Sequence, residues 1–164
     1  MLIALGGLIM ADSNKVVVFI VGSEEYAVPI QYVVSIEKLE GATPIPHLPN
    51  YVKGIVKVRG ELIPVIDMEQ IFNYQSLSID PSVRIIVLQT EELSIGILVR
   101  DAKEIIDIPE EKIKQVGLVA YQKTSYFVGV ANLESRLVTI ISPTQLVQSL
   151  EGIREIQEFM MSQV

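Results

Sequence analysis

The sequence predicts a mainly β protein made of two small five-stranded barrels. Three observations carry this reading. Apolar runs are short and turn signals recur between them. No stretch holds a helical period for long until the C-terminus. One layout also occurs twice: the stretch from Tyr51 to Asp67 returns from Tyr126 to Ser142. Tyr51 matches Tyr126, Gly54 matches Gly129, Val58 matches Leu133, Leu62 matches Leu137, Ile66 matches Ile141 and Gln70 matches Gln145. Upstream, residues 23–28 and 90–95 agree in kind, each a pair of acids leading into an apolar strand. A repeat of this length with several strands reads as two similar β units and not as a solenoid.

In chain order, Met1 to Met10 is apolar, short and without Lys or Arg, a poor secretory signal. Met10 reads as a start, followed by a polar N-terminus, so residues 1–14 are expected as a flexible extension. A short membrane-surface anchor is the alternative. Residues 16–21 form a β-branched apolar run, a buried strand. A turn at residues 22–25 leads to a second strand from Tyr26. A turn at residues 29–32 and a strand from about Val34 to Leu39 follow. Three prolines mark residues 41–49 as an ordered loop.

The central hairpin comes next. Val56 and Val58 point one way, Lys57 and Arg59 the other. Gly60 at the turn accepts a positive φ. Pro64 withholds a ladder donor and marks an edge at that point. Asp67 caps a short helix over residues 68–72, with Gln70 completing a capping box. Ser142, Pro143 and Gln145 repeat that cap.

Residues 73–82 are polar and read as the junction between copies, giving units of about 15–80 and 81–150 in one domain of 15–150. The second copy has a hairpin over 83–88 and 94–99, a strand over 102–108, a turn or single helical turn at 108–113, a loop over 117–123 and a hairpin over 127–141. The apolar spacing from Leu146 to Met160 predicts an amphipathic C-terminal helix within 143–164. Gly152 weakens its middle by roughly 1 kcal/mol relative to Ala.

Composition narrows the function. Thirteen Lys and Arg stand against 20 Asp and Glu, a net charge of −7, which argues against general nucleic-acid binding. Aromatic residues are 6% of the chain and do not alternate with basic ones, so stacking platforms for single strands are poorly supported. There is no Cys, hence no disulfide framework or thiolate metal site. No apolar run reaches the length of a membrane span.

Chemistry-bearing motifs are sparse. His47, the single histidine, sits between Pro46 and Leu48 with no nucleophile motif near it. An exposed loop histidine is favoured over a general base partnered by Asp67 or Glu40. The acid pairs Glu24-Glu25, Glu91-Glu92 and Glu110-Glu111 fall in turns and read as solvated. No phosphate loop, dinucleotide fingerprint or metal-ligand pair is present. No catalytic, cofactor or metal residue is therefore assigned.

Arg59 differs. It stands beside Gly60, with Lys53 and Lys57 on the same hairpin. It either covers a barrel end through its stem or presents a fork of donors to a partner; the residues alone divide these evenly. The matching position in the second copy is Glu134. Val33 or Val34 faces out of the first barrel, on a candidate partner surface.

The run from Tyr51 to Phe72 resembles the signature of the CheW family, the coupling proteins of bacterial chemotaxis. Val58-Arg59-Gly60 and Pro64-Val65-Ile66-Asp67 match, with Lys57 in place of the common Asn. Glu25-Tyr26-Ala27-Val28, Gly96-Ile97-Leu98-Val99 and Phe127-Val128-Gly129-Val130 fit the family order, so the resemblance spans about Val16 to Leu150. It implies two SH3-like barrels around a shared apolar seam and a cytoplasmic, non-catalytic adaptor. The implied partners are the regulatory domain of the histidine kinase CheA and the cytoplasmic tip of methyl-accepting chemoreceptors, at the inner face of the membrane. No cofactor, nucleic acid or membrane insertion is implied, and the chain alone is expected as a monomer. Val33, Ser35, Lys57, Arg59 and Gly60 are the receptor- or kinase-binding residues this implies. Two departures stand out: Ser35 replaces a usual acid, and Arg100 a common Asp. A small-ligand site involving His47, or a structural partner bound through the C-terminal helix, are the rival readings.

Overall fold

The computed structural model describes residues 3–5, 8–10, 14–73, 75–115 and 125–162. The strands are β1 (Ile3–Leu5), β2 (Leu8–Met10), β3 (Lys15–Val21), β4 (Glu24–Pro29), β5 (Val33–Lys38), β6 (Val52–Val58), β7 (Glu61–Asp67), β8 (Val83–Gln89), β9 (Ser94–Asp107), β10 (Ile113–Gln115), β11 (Phe127–Leu133) and β12 (Arg136–Ile141). The helices are α1 (Met68–Asn73), α2 (Pro143–Ser149) and α3 (Ile153–Met161). Single turns of 3-10 helix, Ile30–Tyr32 and Glu110–Lys112, each follow a proline and lead into β5 and β10.

Pairing crosses the expected boundary near residue 80. One barrel runs β5-β8-β9-β7-β6, and a bridge between Thr43 and Ile55 closes it. The other runs β10-β11-β12-β4-β3 and ends on the second half of β9. The hairpin β3–β4 thus belongs with the last strands of the chain, and β8 with strands of the first copy. Two contiguous units, 15–80 and 81–150, do not describe the molecule. The reason lies in β9. Its first residues run antiparallel to β8 and parallel to β7, with Val65 opposite Gly96. Its later residues run antiparallel to β3, with Lys15 opposite Asp107. In matching fashion, β12 runs parallel to β4.

This sharing explains the continuous apolar runs. In β3, Val16 and Val18 enter the core of the second barrel, while Val17, Phe19 and Val21 enter a central core between the barrels. In β8, Val83, Ile85 and Val87 fill the first barrel and Ile86 and Leu88 the centre. A strand buried on both faces loses the polar alternation of a half-exposed one. Rings of Tyr26, Phe72, Tyr126 and Phe127 meet at the centre, with centroids 4.6–5.9 Å apart.

Several expectations hold in detail. Asp67 caps α1: Gln70 N–H donates to its Oδ1 at 3.1 Å. Ser142 caps α2, with Gln145 N–H at 3.2 Å from Oγ and Pro143 in the first turn. Pro64 pairs with Ile55 on β6, and the ladder to β9 begins one residue later at Val65, so β7 is an edge from Glu61 to Pro64 and paired on both sides beyond it.

One other is corrected. The C-terminal helix is not continuous: α2 stops at Ser149 and α3 starts at Ile153, with Gly152 between at φ 80. A Cβ there would lie 2.8 Å from Pro49 Cγ, so the break is built by packing as well as propensity. Within the N-terminal extension, β1 pairs with β2 in a sheet of its own. The loop expected at 117–123 lies outside the described residues.

Candidate docking surfaces

Arg59 and Gly60 form the two-residue turn of the β6–β7 hairpin, with Val58 opposite Glu61. Both take left-handed backbone, φ 51 and 83. That conformation at both central residues makes the tight primed turn whose twist matches a hairpin. Glycine accepts it freely, whereas an arginine there is held against its preference. Arg59 and Lys57 are exposed, and among the described residues neither makes a hydrogen bond or ion pair. Lys53, on the same hairpin, is engaged instead: its Nζ lies 3.0 Å from Ser76 Oγ and 3.7 Å from Asp67. Among the described residues Arg59 thus keeps its donor fork unengaged.

Val33 and Ser35 sit on β5, at the other end of the barrel's pairing path from β6. Among the described residues no strand pairing or hydrogen bond joins them to Arg59. The register between β5 and β8 shifts between Val33 and Ser35, which stand opposite Leu88 and Val87. The extra residue is Val34, which the bulge turns outward, 43% exposed. Val33 packs against the central core. Ser35 points inward, and its hydroxyl oxygen is buried without a partner. Val34 therefore holds the outward position on this strand, and the Ser35 side chain faces into the barrel.

Arg100 is not a surface charge. It reaches Asp80, the Ser78 carbonyl at 2.7 Å and Glu69 at 3.4 Å. Asp80's carboxyl is held below its usual range by the Ser82 hydroxyl and N–H first, and by Arg100 after them.

Sequence reasoning missed Arg136. It pairs with Glu25 of β4 at 2.5 Å and with Glu104 of β9 at 2.7 Å. Glu25, read as a solvated turn acid, is half-buried and engaged. Only the pairing of β12 with β4 brings these groups together, and nothing local in the sequence signals that.

His47 is exposed in left-handed backbone, φ 72. Among the described residues no group of His, Asp and Glu is placed to hold a metal ion. An open cleft of about 750 Å³ lies between α3 and the tips of the β6–β7 and β8–β9 hairpins. Lys57, Gly60, Leu62, Leu93, Arg154 and Met160 line it, and His47 does not. Among the described residues no helix is long and apolar enough to cross a membrane.

Comparison with known proteins agrees with this architecture. The CheW-like domain model matches residues 15–151. The chemotaxis protein CheW of Bacillus subtilis is 30% identical over 129 residues, 78% of this chain and 83% of that protein. That of Rhizobium meliloti is 30% identical over 131 residues, 78% of this chain and 83% of that one. The crystal structure of the scaffolding protein TtCheW from Thermoanaerobacter tengcongensis superposes with a TM-score of 0.74 at 28% identity, covering 86% of this chain and 93% of that one.

Proposed function

The chain belongs to the CheW-like domain family, and from that premise we propose that it is a scaffold of chemotaxis signalling that joins receptors to their kinase without catalysis of its own. The finer assignment is to the regulatory domain of CheA on one side and the cytoplasmic tip of methyl-accepting receptors on the other. It works in the cytoplasm, at the inner face of the membrane.

The observation that carries this is Arg59. Most cations near it or equivalent to it in kind are consumed by their own structure: Arg136 by two carboxylates, Arg100 by four groups, Lys53 by Ser76 and Asp67. Arg59 is held in a strained, tightly specified turn and left unengaged among the described residues. A fixed guanidinium fork suits a carboxylate or a row of carbonyls on a partner. Lys57 adds charge beside it, and the bulged Val34 offers an apolar contact on another face of the same barrel.

The test is capture of the kinase's regulatory domain and of a receptor cytoplasmic fragment by the full chain. Arg59→Ala is expected to weaken receptor binding by about tenfold, the loss of one charge-assisted hydrogen-bonding group. Kinase-domain binding and the thermal transition stay as in the parent. Unchanged receptor binding would remove Arg59 from the site, and binding of neither partner by the parent would sink the scaffold reading.

A further inference from the structure

We propose that Arg100 is the positioning residue that fixes how the two barrels are set against each other. It stands where β9 leaves one barrel and joins the other. Its register partners are Val83 on β8 and Ile20 on β3. Immediately after it the ladder breaks: residues 101–103 stand opposite the single Phe19 of β3, and Asp101 takes φ 51. An irregularity of this kind bends a strand and strips it of regular pairing, which makes it the pivot of the molecule.

Arg100 spans that pivot. One of its terminal nitrogens meets Asp80 and lies 3.3 Å from Ser82 Oγ, while the other donates to the Ser78 carbonyl at 2.7 Å. Its Nε lies 3.4 Å from Glu69 Oε2 on α1. That oxygen is buried and has no hydrogen bond, so Arg100 is the charge that answers it. The Asp101 N–H adds a bond to the Ser82 carbonyl at 3.0 Å. One planar group therefore ties the bend of β9 to the segment 78–82, which leads from α1 to β8 within the first barrel, and to α1 itself.

The third of these touches both barrels. Helix α1 follows β7 directly, and its last residue, Asn73, packs close to the β3–β4 turn: a Cβ on Gly22 would lie 3.0 Å from Asn73 Nδ2. A guanidinium presents its donors in one fixed plane, so contacts made by its several nitrogens restrict rotation about the bend. An ammonium is a single point charge and restricts it less. The outward residues Arg59, Lys57 and Val34 lie on the first barrel, so the residue at the pivot sets how that surface stands relative to the second barrel. That consequence rests on the scaffold reading, but the positioning role rests on strand pairing and on the contacts of Arg100 itself.

The chain has no cysteine, so spin labels can be placed at chosen sites. Glu61→Cys with Lys114→Cys reports across the barrels, and Lys38→Cys with Glu61→Cys reports within the first. Electron–electron distance measurements on the full chain are expected to show the cross-barrel distribution broadened about twofold by Arg100→Ala, as when packed bodies gain a hinge. The within-barrel distribution stays as in the parent. Arg100→Lys and Asp80→Ala broaden the cross-barrel distribution less, and they carry the test if Arg100→Ala does not fold. An unchanged cross-barrel distribution in the variants that fold overturns the proposal. Equal broadening of both pairs also overturns it, because that marks general loosening.

Discussion

The Tyr51 hydroxyl donates to the backbone carbonyl of Glu151, joining the foot of β6 to the corner between α2 and α3. The phenol is half-buried and close to Glu151 and Glu155. Burial first, then those two charges, push its pKa up to about 12. The neutral phenol is thus the form the fold favours. A group whose pKa rises on folding adds stability below its unfolded pKa of about 10, and that stability is lost as pH rises through the folded value. Tyr51→Phe should lower stability by about 1 kcal/mol at neutral pH. It should also show a shallower loss between about pH 10 and 12. Urea titrations of both proteins across that range check it, and parallel alkaline limbs would refute it.

Asp67 is the most heavily used buried acid. Besides capping α1 it accepts the Leu77 N–H at 2.9 Å, with Lys53 at 3.7 Å, and it is fully buried. It therefore holds the start of the inter-copy segment as well as the helix. Asp67→Ala leaves a buried N–H without an acceptor and removes a cap, a loss of about 2–4 kcal/mol. Ser142→Ala, which removes a cap alone, should cost about 1 kcal/mol. Chemical denaturation of the two variants separates these, and equal losses would show that the Leu77 bond carries nothing.

Much of this was legible locally. Capping at Asp67 and Ser142, the turn at Gly60 and the helical turns after Pro29 and Pro109 are decided by residues within a few positions of one another. The barrel boundaries were not, because they depend on which strands pair. The sequence of β9 reads as two strands with Arg100 and Asp101 between them, and nothing local says that one half serves each barrel. For the same reason Glu25 looked like a solvated turn acid until Arg136 arrived beside it across β12 and β4. At the candidate site Arg59 was legible, since its turn is local. The burial of Ser35 depends on the register shift against β8 and was not.

The Arg136 cluster gives an acid-side prediction. Hydrogen bonds from Arg136 hold the Glu104 carboxyl below its usual range, and Glu104, then Glu25, raise the guanidinium's affinity for its proton. A carboxylate with a lowered folded pKa adds stability above its unfolded value of about 4.3, and that stability is lost as pH falls through the folded one. Arg136→Met should therefore flatten the acid limb of the stability curve below about pH 4.5. Glu104 is largely exposed, so the cost at neutral pH is under about 1 kcal/mol and shrinks further in 1 M salt. Acid titrations followed by circular dichroism at low and high salt test this. An acid limb identical to the parent's would mean the cluster holds no protons off in the fold.

The bulge on β5 separates packing from docking. Ser35 buries a hydroxyl oxygen with no partner, whereas Val34 puts an apolar side chain in water. An unsatisfied buried polar atom is a cost, so Ser35→Ala should leave stability unchanged or raise it by up to about 1 kcal/mol. Ser35→Glu places a charge where the barrel wall is closed and should cost more than about 2 kcal/mol, or force the strand to slip. Val34→Lys, on the outward side, should change stability by less than about 0.5 kcal/mol. If β5 contacts a partner, Val34→Lys alone should weaken that complex, while Ser35→Ala binds as the parent does. Denaturation and binding measured on the same three variants decide the matter. Weakened binding by Ser35→Ala with intact stability would mean that the hydroxyl reaches the partner and that the strand opens when the complex forms.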